Sequence, residues 1–443
     1  MALTEQAIRD VIALRRAGNY AGALASFEEL LKEEPSNAWV RIEIYHCARA
    51  LKRPDPELIL KEGLELRKTA PLLIELGQIS AQQDKKEEAE SYLKEALSIS
   101  PDRARTQVAW FKFLLAHDHF STAIEAGKSG LGQMPDPSER AELLMQMAHA
   151  MAARSADSVI PDAETRSEGA PIPNAAVVSM VKDEEDIIGS QLEHHYRQGF
   201  RFFAIADNGS TDLTSERITA FRHAHPDVTC LYQYDPIVGY YQSRKTTALA
   251  RCAREYFGCV QNIEWIFPLD ADEFITLPAD GPDLAEVLQQ SEQLGTDILV
   301  YHLCNCATPT PLEKLPPVPL EQTFTIRGHF AARTVSKVAY RYRDSATLLE
   351  GAHFVVTPST SNPAVRILAE DGIYLRHYPY RSIDQIRSKI VKGARAVNEA
   401  KGVVTGGHWL DAHSKYVAQG EPWLNKWLTD YISVTAQSRR PTF

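Results

Sequence analysis

Three acidic clusters hold the side chains best suited to shared chemistry. They are Lys182-Asp183-Glu184-Glu185-Asp186, Asp207-Asn208-Gly209-Ser210-Thr211-Asp212 and Leu269-Asp270-Ala271-Asp272-Glu273-Phe274. Each directly follows a short apolar run. Carboxylates gathered at one place repel each other, and a divalent cation offsets that repulsion. Asp270 and Asp272 are two apart on an extended chain, so both point to one side. Mg²⁺ and Mn²⁺ favour oxygen ligands and accept phosphate oxygens as the rest of their shell. Such an ion would bridge the protein to a diphosphate and stabilise charge on a phosphate leaving group. Each cluster alone has a plainer explanation. An Asp-x-Asp pair is a common acidic turn. Asp207-Asn208-Gly209 suits a hairpin, although Ser210-Thr211-Asp212 then looks like a helix start. The run at 183–186 favours the N-terminus of its own helix. Their joint placement is what points to a functional rim.

That placement depends on the elements before each cluster. Ala175–Val181, Phe200–Ala206, Val228–Tyr234 and Trp265–Leu269 are continuous apolar runs of strand length, suited to strands buried on both faces. Helical patterns lie between them, over about 184–198, 212–224 and 240–256. Strands alternating with helices predict βαβ units, a parallel sheet and a three-layer α/β sandwich. Ligands of such sheets bind beyond the carboxyl ends of the strands, where the acidic clusters fall.

Residues 1–155 follow another rhythm. They are rich in Ala, Leu, Glu and Lys, with apolar residues at helical spacing, as in Ala23, Leu24, Phe27, Leu30 and Leu31. Pro35, Pro101 and Pro135 mark helix stops, and the last two are 34 residues apart. Small residues such as Gly18, Ala21 and Ala89 fall where paired helices would turn or touch. This pattern resembles the tetratricopeptide repeat, in three clear units and a degenerate second one near 38–70. The resemblance implies a stacked all-α solenoid. It would offer a surface for a protein partner or a second copy, or else support the domain that follows. Gly127-Lys128-Ser129 imitates the end of a phosphate loop, but residue 122 is Thr where that loop needs Gly. Residues 156–173 are polar and proline-bearing, and read as a linker.

The segment VSMVKDEEDIIGSQLEHHYRQGFRFFAIADNGSTDLT, with FPLDADEF and the later Leu375-Arg376-His377-Tyr378-Pro379-Tyr380-Arg381-Ser382, resembles the family-2-type nucleotide-sugar glycosyltransferases of the GT-A fold. The resemblance covers roughly 172–400. It implies a GT-A domain over 174–405, a Rossmann-like mixed sheet sandwiched by helices, with a helical tail over 406–443. It implies that Asp183 and Glu184 line the nucleoside pocket and that Asp207 contacts base or ribose. Asp270 and Asp272 would hold Mn²⁺ or Mg²⁺ with the diphosphate, and His377 would complete the metal site. Lys245 is placed to meet phosphate or to stand as a solvated lysine at a helix start. An inverting transferase needs a base opposite the diphosphate, for which Glu350, His353, Glu370 and Asp371 are the candidates. His194 and His195 read as packed helix residues, His223 and His225 as surface, and Arg381 as a structural partner of an acidic neighbour.

Composition narrows the classes. The chain has 443 residues, with 44% hydrophobic and 24% charged, as expected of a soluble globular protein. Its formal net charge of −10 argues against a nucleic-acid coat. No run of about 18 apolar residues offers a membrane span, and the charged start MALTEQAIRD does not suit a signal peptide. Six scattered cysteines read as reduced thiols. The proline-rich 307–320 reads as a flap or a passive loop. The three tail tryptophans Trp409, Trp423 and Trp427 suggest a tail packed back on a domain. The expectation is a metal-dependent, cytoplasmic or inner-membrane-associated glycosyltransferase of bacterial surface-polysaccharide synthesis. It would use a UDP- or GDP-linked sugar and a glycan or lipid-linked acceptor. The alternative is a repeat-based adaptor with an inactive GT-A-like domain. A nucleotidyltransferase would want a basic, Gly-rich first loop, and here that loop is acidic.

Overall fold

The computed structural model describes residues 11, 12, 14, 15, 18–117, 119–155, 165–237, 239, 241–329, 336–358, 363–400 and 407–438. Most of the expected linker, 156–164, lies outside these residues. The chain divides into two compact units, Met1–Leu144 and Met145–Phe443.

The first unit is a series of antiparallel helix pairs. α1 (Tyr20–Glu33) packs on α2 (Ala38–Ala50), α3 (Leu58–Leu66) on α4 (Ala70–Gln82), α4 on α5 (Lys86–Ile99), and α6 (Ala104–Ala116) on α7 (Phe120–Gln133). The next helix, α8 (Pro137–Ser155), starts in this unit and ends in the second. Small residues set the contacts. Ala23, Ala89, Ala96, Ala104 and Ala123 are fully buried. A Cβ on Gly77 would lie 2.9 Å from the Leu93 side chain, and one on Gly130 only 2.4 Å from Gln107. Asn19 and Asn37 accept backbone N–H groups at the starts of α1 and α2. The degenerate second repeat is still a helical pair, with the irregular stretch 51–57 before its short second helix. An all-α, tetratricopeptide-like solenoid is thus formed.

The second unit is built on a mixed sheet. β1 (Thr165–Arg166), from the expected linker, pairs with β6 (Glu273–Pro278). β2 (Ile172–Val181), β3 (Phe200–Asp207), β4 (Thr229–Tyr234) and β5 (Trp265–Pro268) are parallel neighbours in the order β4-β3-β2-β5. Beyond β5 come β9 (Ser336–Arg341), antiparallel to β5, then β7 (Ile298–Ala307), β13 (Tyr374–His377) and β6. β7 and β13 are parallel to each other, and β6 is antiparallel to β13. β8 (Ile326–His329) and β12 (Val365–Ile367) add to β7, while β10 (Thr347–Leu348) and β11 (Val355–Val356) form a separate small ladder. Helices α9 (Ile188–Arg197), α10 (Thr214–Ala224), α11 (Gln242–Gly258) and α12 (Leu284–Gln293) connect the strands, followed by the single turn α13 (Leu320–Thr323). Phe200, Phe203, Trp265, Phe267 and Tyr301 fill the core against the sheet. His194 and His195 pack beneath it, each contacting the backbone of Ile275.

The three C-terminal helices, α14 (Ile383–Glu399), α15 (Gly407–Gln419) and α16 (Glu421–Gln437), share one apolar cluster. Ile383, Ile386 and Ile390 meet Leu424, Leu428 and Ile432 there, and Trp409, Trp423 and Trp427 pack on it. The tryptophans are thus engaged in packing. The proline-rich loop is not a free flap. The backbone carbonyls of Leu312 and Glu313 accept the N–H groups of Ile383 and Asp384, unpaired donors of the first turn of α14. Among the described residues, no helix is long and apolar enough to cross a membrane.

Gly328 of β8 lets α16 approach. A Cβ there would lie 2.1 Å from the Thr435 carbonyl oxygen. Gly328→Ala is expected to cost about 1–3 kcal/mol, because neither backbone can retreat without losing packing. Urea unfolding of the full chain measures it.

Candidate functional site at the carboxyl edge of the sheet

β2, β3 and β5 end together, so Asp183, Asp207 and Asp270 fall on one edge. The antiparallel strands add to that edge from the other direction. β6 and β9 begin where β5 ends, which delivers Glu273 and Lys337 beside Asp270 and Asp272. β13 ends there and delivers His377, whose Cα partners are Glu273 and Asn305.

Behind the β2 end, the geometry is fixed by backbone. Asp183 has φ +53°, an uncommon conformation for a non-glycine residue. Its carboxylate accepts the Thr211 N–H at 2.7 Å and pairs with Lys392 at 2.7 Å. Asp207 is buried and accepts from the Ser210 N–H at 2.7 Å and the Tyr232 hydroxyl at 2.9 Å. It therefore shapes the Asn208-Gly209-Ser210 turn. The Lys182 ammonium donates to the carbonyls of Asn208 and Gly209.

Arg381 anchors the middle of the edge. Its side chain has no exposure, forks onto Asp186 with two 2.8 Å bonds, and also pairs with Glu184. Asp272 lies 3.9 Å away. The expected structural role of Arg381 thus involves two of the acidic clusters at once. Glu184 is committed to this pair, and burial raises its carboxyl despite the guanidinium.

Asp270 and Asp272 have different surroundings. Asp270 is partly open to solvent, accepts from Gln242 Nε2 at 3.2 Å, and pairs with Lys337 at 2.7 Å. Lys337 is buried and also bonds Glu273 at 2.8 Å. Burial would lower the Lys337 ammonium, but Asp270 and Glu273 outweigh it and keep the group charged. Asp272 is buried and contacts Lys389 at 3.1 Å. Burial pushes its carboxyl up, yet Lys389, then His377 and Arg381, hold it well below the usual range. Burial, reinforced by Asp270 and Asp272 against the pull of Lys337, pushes Glu273 up to about 8.

Asp272, Glu273 and His377 offer ligand atoms within 4.8 Å of one another. His377 suits a cation. Burial lowers its imidazole to about 4, so the ring is neutral at pH 7. Its Nδ1 bonds Asn305 Oδ1 at 3.0 Å, leaving Nε2 to face Asp272 at 3.9 Å. Orientation of a ligating ring by a second residue is the usual arrangement at metal sites. Lys337 and Lys389 supply the compensating charge that a metal would otherwise bring. The donor set fits a divalent ion, with Glu273 beside Asp272 in the cluster. Glu273 was not among the expected ligands; only the antiparallel entry of β6 brings it there.

The remaining candidates divide. Glu350, in a 3-10 turn over Glu350–Ala352, accepts the Ser243 N–H at the start of α11, one residue from Gln242, which bonds Asp270. It is half-buried, and burial raises its carboxyl. The His353 ring bonds the carbonyl of Ser336, the residue before Lys337, at 2.8 Å. Burial, then Lys337, lowers it to about 4. Each therefore bonds a residue adjacent in sequence to a partner of Asp270, Gln242 for Glu350 and Lys337 for His353. Asp371 does not. It precedes β13, so it lies at the opposite end of that strand from His377, where it pairs with Arg366 at 2.9 Å. Glu370 is its neighbour there and is exposed. Lys245 is bound to Asp235 at 2.7 Å and to the Ile237 carbonyl. His225 is half-buried and bonds Glu193, a correction to its surface assignment made by the fold of α9 over α10.

Residues 70–103 match the tetratricopeptide repeat family model, which lies wholly within the repeat unit. Similar solved structures include a thermophilic tetratricopeptide protein of Thermus thermophilus. It is 20% identical, covering 32% of this chain and 77% of that one, with a TM-score of 0.28. MamA is 19% identical, covering 32% and 82%, with a TM-score of 0.25. PilF of Pseudomonas aeruginosa is 20% identical, covering 34% and 69%, with a TM-score of 0.28. No curated protein matches the chain. The family match and these structures concern repeat proteins, and each covers about a third of this chain or less.

Arg381→Met should destabilise the second unit by about 3–5 kcal/mol, because it strands Glu184 and Asp186 without their cation. Denaturant unfolding tests this. The depressed imidazole of His353 makes stability fall as pH drops from its unfolded value of 6.5 through about 4. His353→Gln should flatten that acid limb, as read by urea midpoints across the range.

Proposed function

We propose that the second unit is a nucleotide-sugar glycosyltransferase site. It would move a sugar from a UDP- or GDP-linked donor to a hydroxyl of a glycan or lipid-linked acceptor. The observation that carries this reading is the convergence of Asp183, Asp207, Asp270 and Asp272 on one sheet edge, beside His377 and a set of lysines. Strand ends at one edge of an open α/β sheet form the usual ligand crevice. The β2 and β3 turns, around Asp183 and Asp207, would border the nucleoside. Asp272, Glu273 and His377 would hold Mg²⁺ or Mn²⁺, with Asp270 at the solvent side. A bound ion would supply Lewis-acid stabilisation of the departing diphosphate.

Glu350 is the proposed general base. A half-buried carboxylate with a raised proton affinity suits removal of a proton from an acceptor hydroxyl. His353 is the second candidate, as a neutral imidazole able to accept a proton. The repeats would recruit a protein partner, the acceptor or a second copy. The proposed setting is the cytoplasm or the inner face of a bacterial membrane, in surface-polysaccharide synthesis.

A second reading has its own support. Asp270 and Asp272 are already ion-paired with Lys337 and Lys389, and the family match lies in the repeats. In that reading the chain is a repeat scaffold whose sheet unit no longer turns over substrate.

One experiment separates the two. Nucleotide-sugar hydrolysis is screened with Mn²⁺, Mg²⁺ or EDTA, alongside thermal shifts with UDP and GDP. The transferase reading expects hydrolysis of at least one donor. It also expects Asp272→Asn to abolish that hydrolysis in a chain that still folds cooperatively, at a lowered melting temperature because Lys389 and Arg381 lose a buried counterion. Glu350→Gln should lower turnover about 100-fold or more, a general-base loss. No hydrolysis and no nucleotide-dependent shift would leave the scaffold reading standing.

A further inference from the structure

Four of the buried or half-buried cations at the sheet edge pair with its carboxylates at 3.1 Å or less, and they are not equivalent. Arg381 has no side-chain exposure and is locked by the two-bond fork onto Asp186 with Glu184 alongside. Lys337 is 4% exposed and is held between Asp270 and Glu273. Lys389 and Lys392 are 28% and 38% exposed, whereas their partners Asp272 and Asp183 are each 6% exposed. The two lysines thus lie on the solvent side of buried carboxylates. A ligand entering from solvent therefore meets these side chains before it meets the carboxylates.

Their spacing matters as much. Lys389 and Lys392 are three apart on α14, so they project from one helix face. That face spans the edge, since Lys389 reaches the turn after β5 and Lys392 the turn after β2. Each ammonium has three donors. Lys392 pairs with one oxygen of Asp183, and Lys389 with one of Asp272 and weakly with the Pro379 carbonyl. Both carboxylates have other partners that would remain. Asp183 keeps the Thr211 N–H, and Asp272 keeps the Arg381 guanidinium 3.9 Å away. The lysines can therefore change partner without stranding a buried charge.

We infer that Lys389 and Lys392 grip the diphosphate of a nucleotide ligand, turning to it from Asp272 and Asp183. The inference rests on the glycosyl-transfer reading and names the cations that bind its donor. A compact ammonium on a flexible stem suits phosphate, and two of them on one helix face match the two phosphoryl groups. The carboxylates then act as parking places that keep both amines extended over the edge while it is empty. Lys245, held by Asp235 and the Ile237 carbonyl, is not part of this pair.

The test is calorimetric titration of the full chain with UDP, GDP, uridine and guanosine, in Mn²⁺ and separately in EDTA. Lys389→Met and Lys392→Met should each weaken diphosphate binding about tenfold or more in both buffers, the loss expected when a charge pair is truncated. Nucleoside binding should change less than about twofold, because no phosphate contact is involved. Added salt should weaken the wild type more than the variants, and Lys389→Arg should retain most of the affinity. Lys392→Met guards against a folding artefact, since Asp183 keeps its Thr211 bonds. Variants that bind UDP and GDP like the wild type would overturn the inference and leave the glycosyl-transfer reading intact. A wild type that binds neither diphosphate would bring down both.

Discussion

A guanidinium with no exposure, that of Arg381, meets carboxylates from the segment after β2 and faces one from the turn after β5. Charges this deep cost several kcal/mol each to desolvate, and only close, hydrogen-bonded partners compensate. The Glu184 and Asp186 side chains, the entry into α14 and the Asp272 turn are therefore mutually dependent. Moving one would leave a buried charge without its counterion. This constraint holds the acidic clusters in register along one sheet edge, although they are far apart in the chain.

The mixed character of the sheet gives that edge its chemistry. A purely parallel sheet would present only strand ends, here Asp183, Asp207, Asp270 and Asp272. Because β6 and β9 run the other way, their first residues arrive at the same edge. Lys337 and Glu273 enter by this route, and the end of β13 adds His377. The result is an alternation of positive and negative groups in place of a bare acidic cluster. Buried charge is compensated, and some cations remain near the solvent side. Within it, Asp272, Glu273 and His377 bring ligand atoms within 4.8 Å of one another.

The repeat unit rests on different physics. Its helices are short and individually marginal, and stability comes from stacking faces kept close by small residues. Gly77 against Leu93 and Gly130 against Gln107 show how little room the contacts leave. The units thus differ in what a substitution disturbs. In the repeats it is steric fit between helices, and at the sheet edge it is the balance of buried charge.

Local pattern was enough to announce much of this protein. The proline-punctuated helical rhythm gave the repeats, because an amphipathic hairpin writes its period into the chain. The runs before Asp183, Asp207 and Asp270 announced three of the four parallel strands, since strands buried on both faces must be apolar throughout; β4, expected to be the same, lies at the sheet edge and is only partly buried. Pattern could not reveal partners distant in sequence. Glu273 was legible only as part of the third acidic cluster, and nothing local marked Lys337, Lys389 and Lys392 as the partners of these carboxylates. Asp371 looked as good a base as Glu350 until strand direction put it at the far end of β13. Periodicity is a property of neighbours along the chain, so the sequence alone determined which elements form. Which charges meet depends on strand order and direction, and those are decided only when the sheet closes over its core.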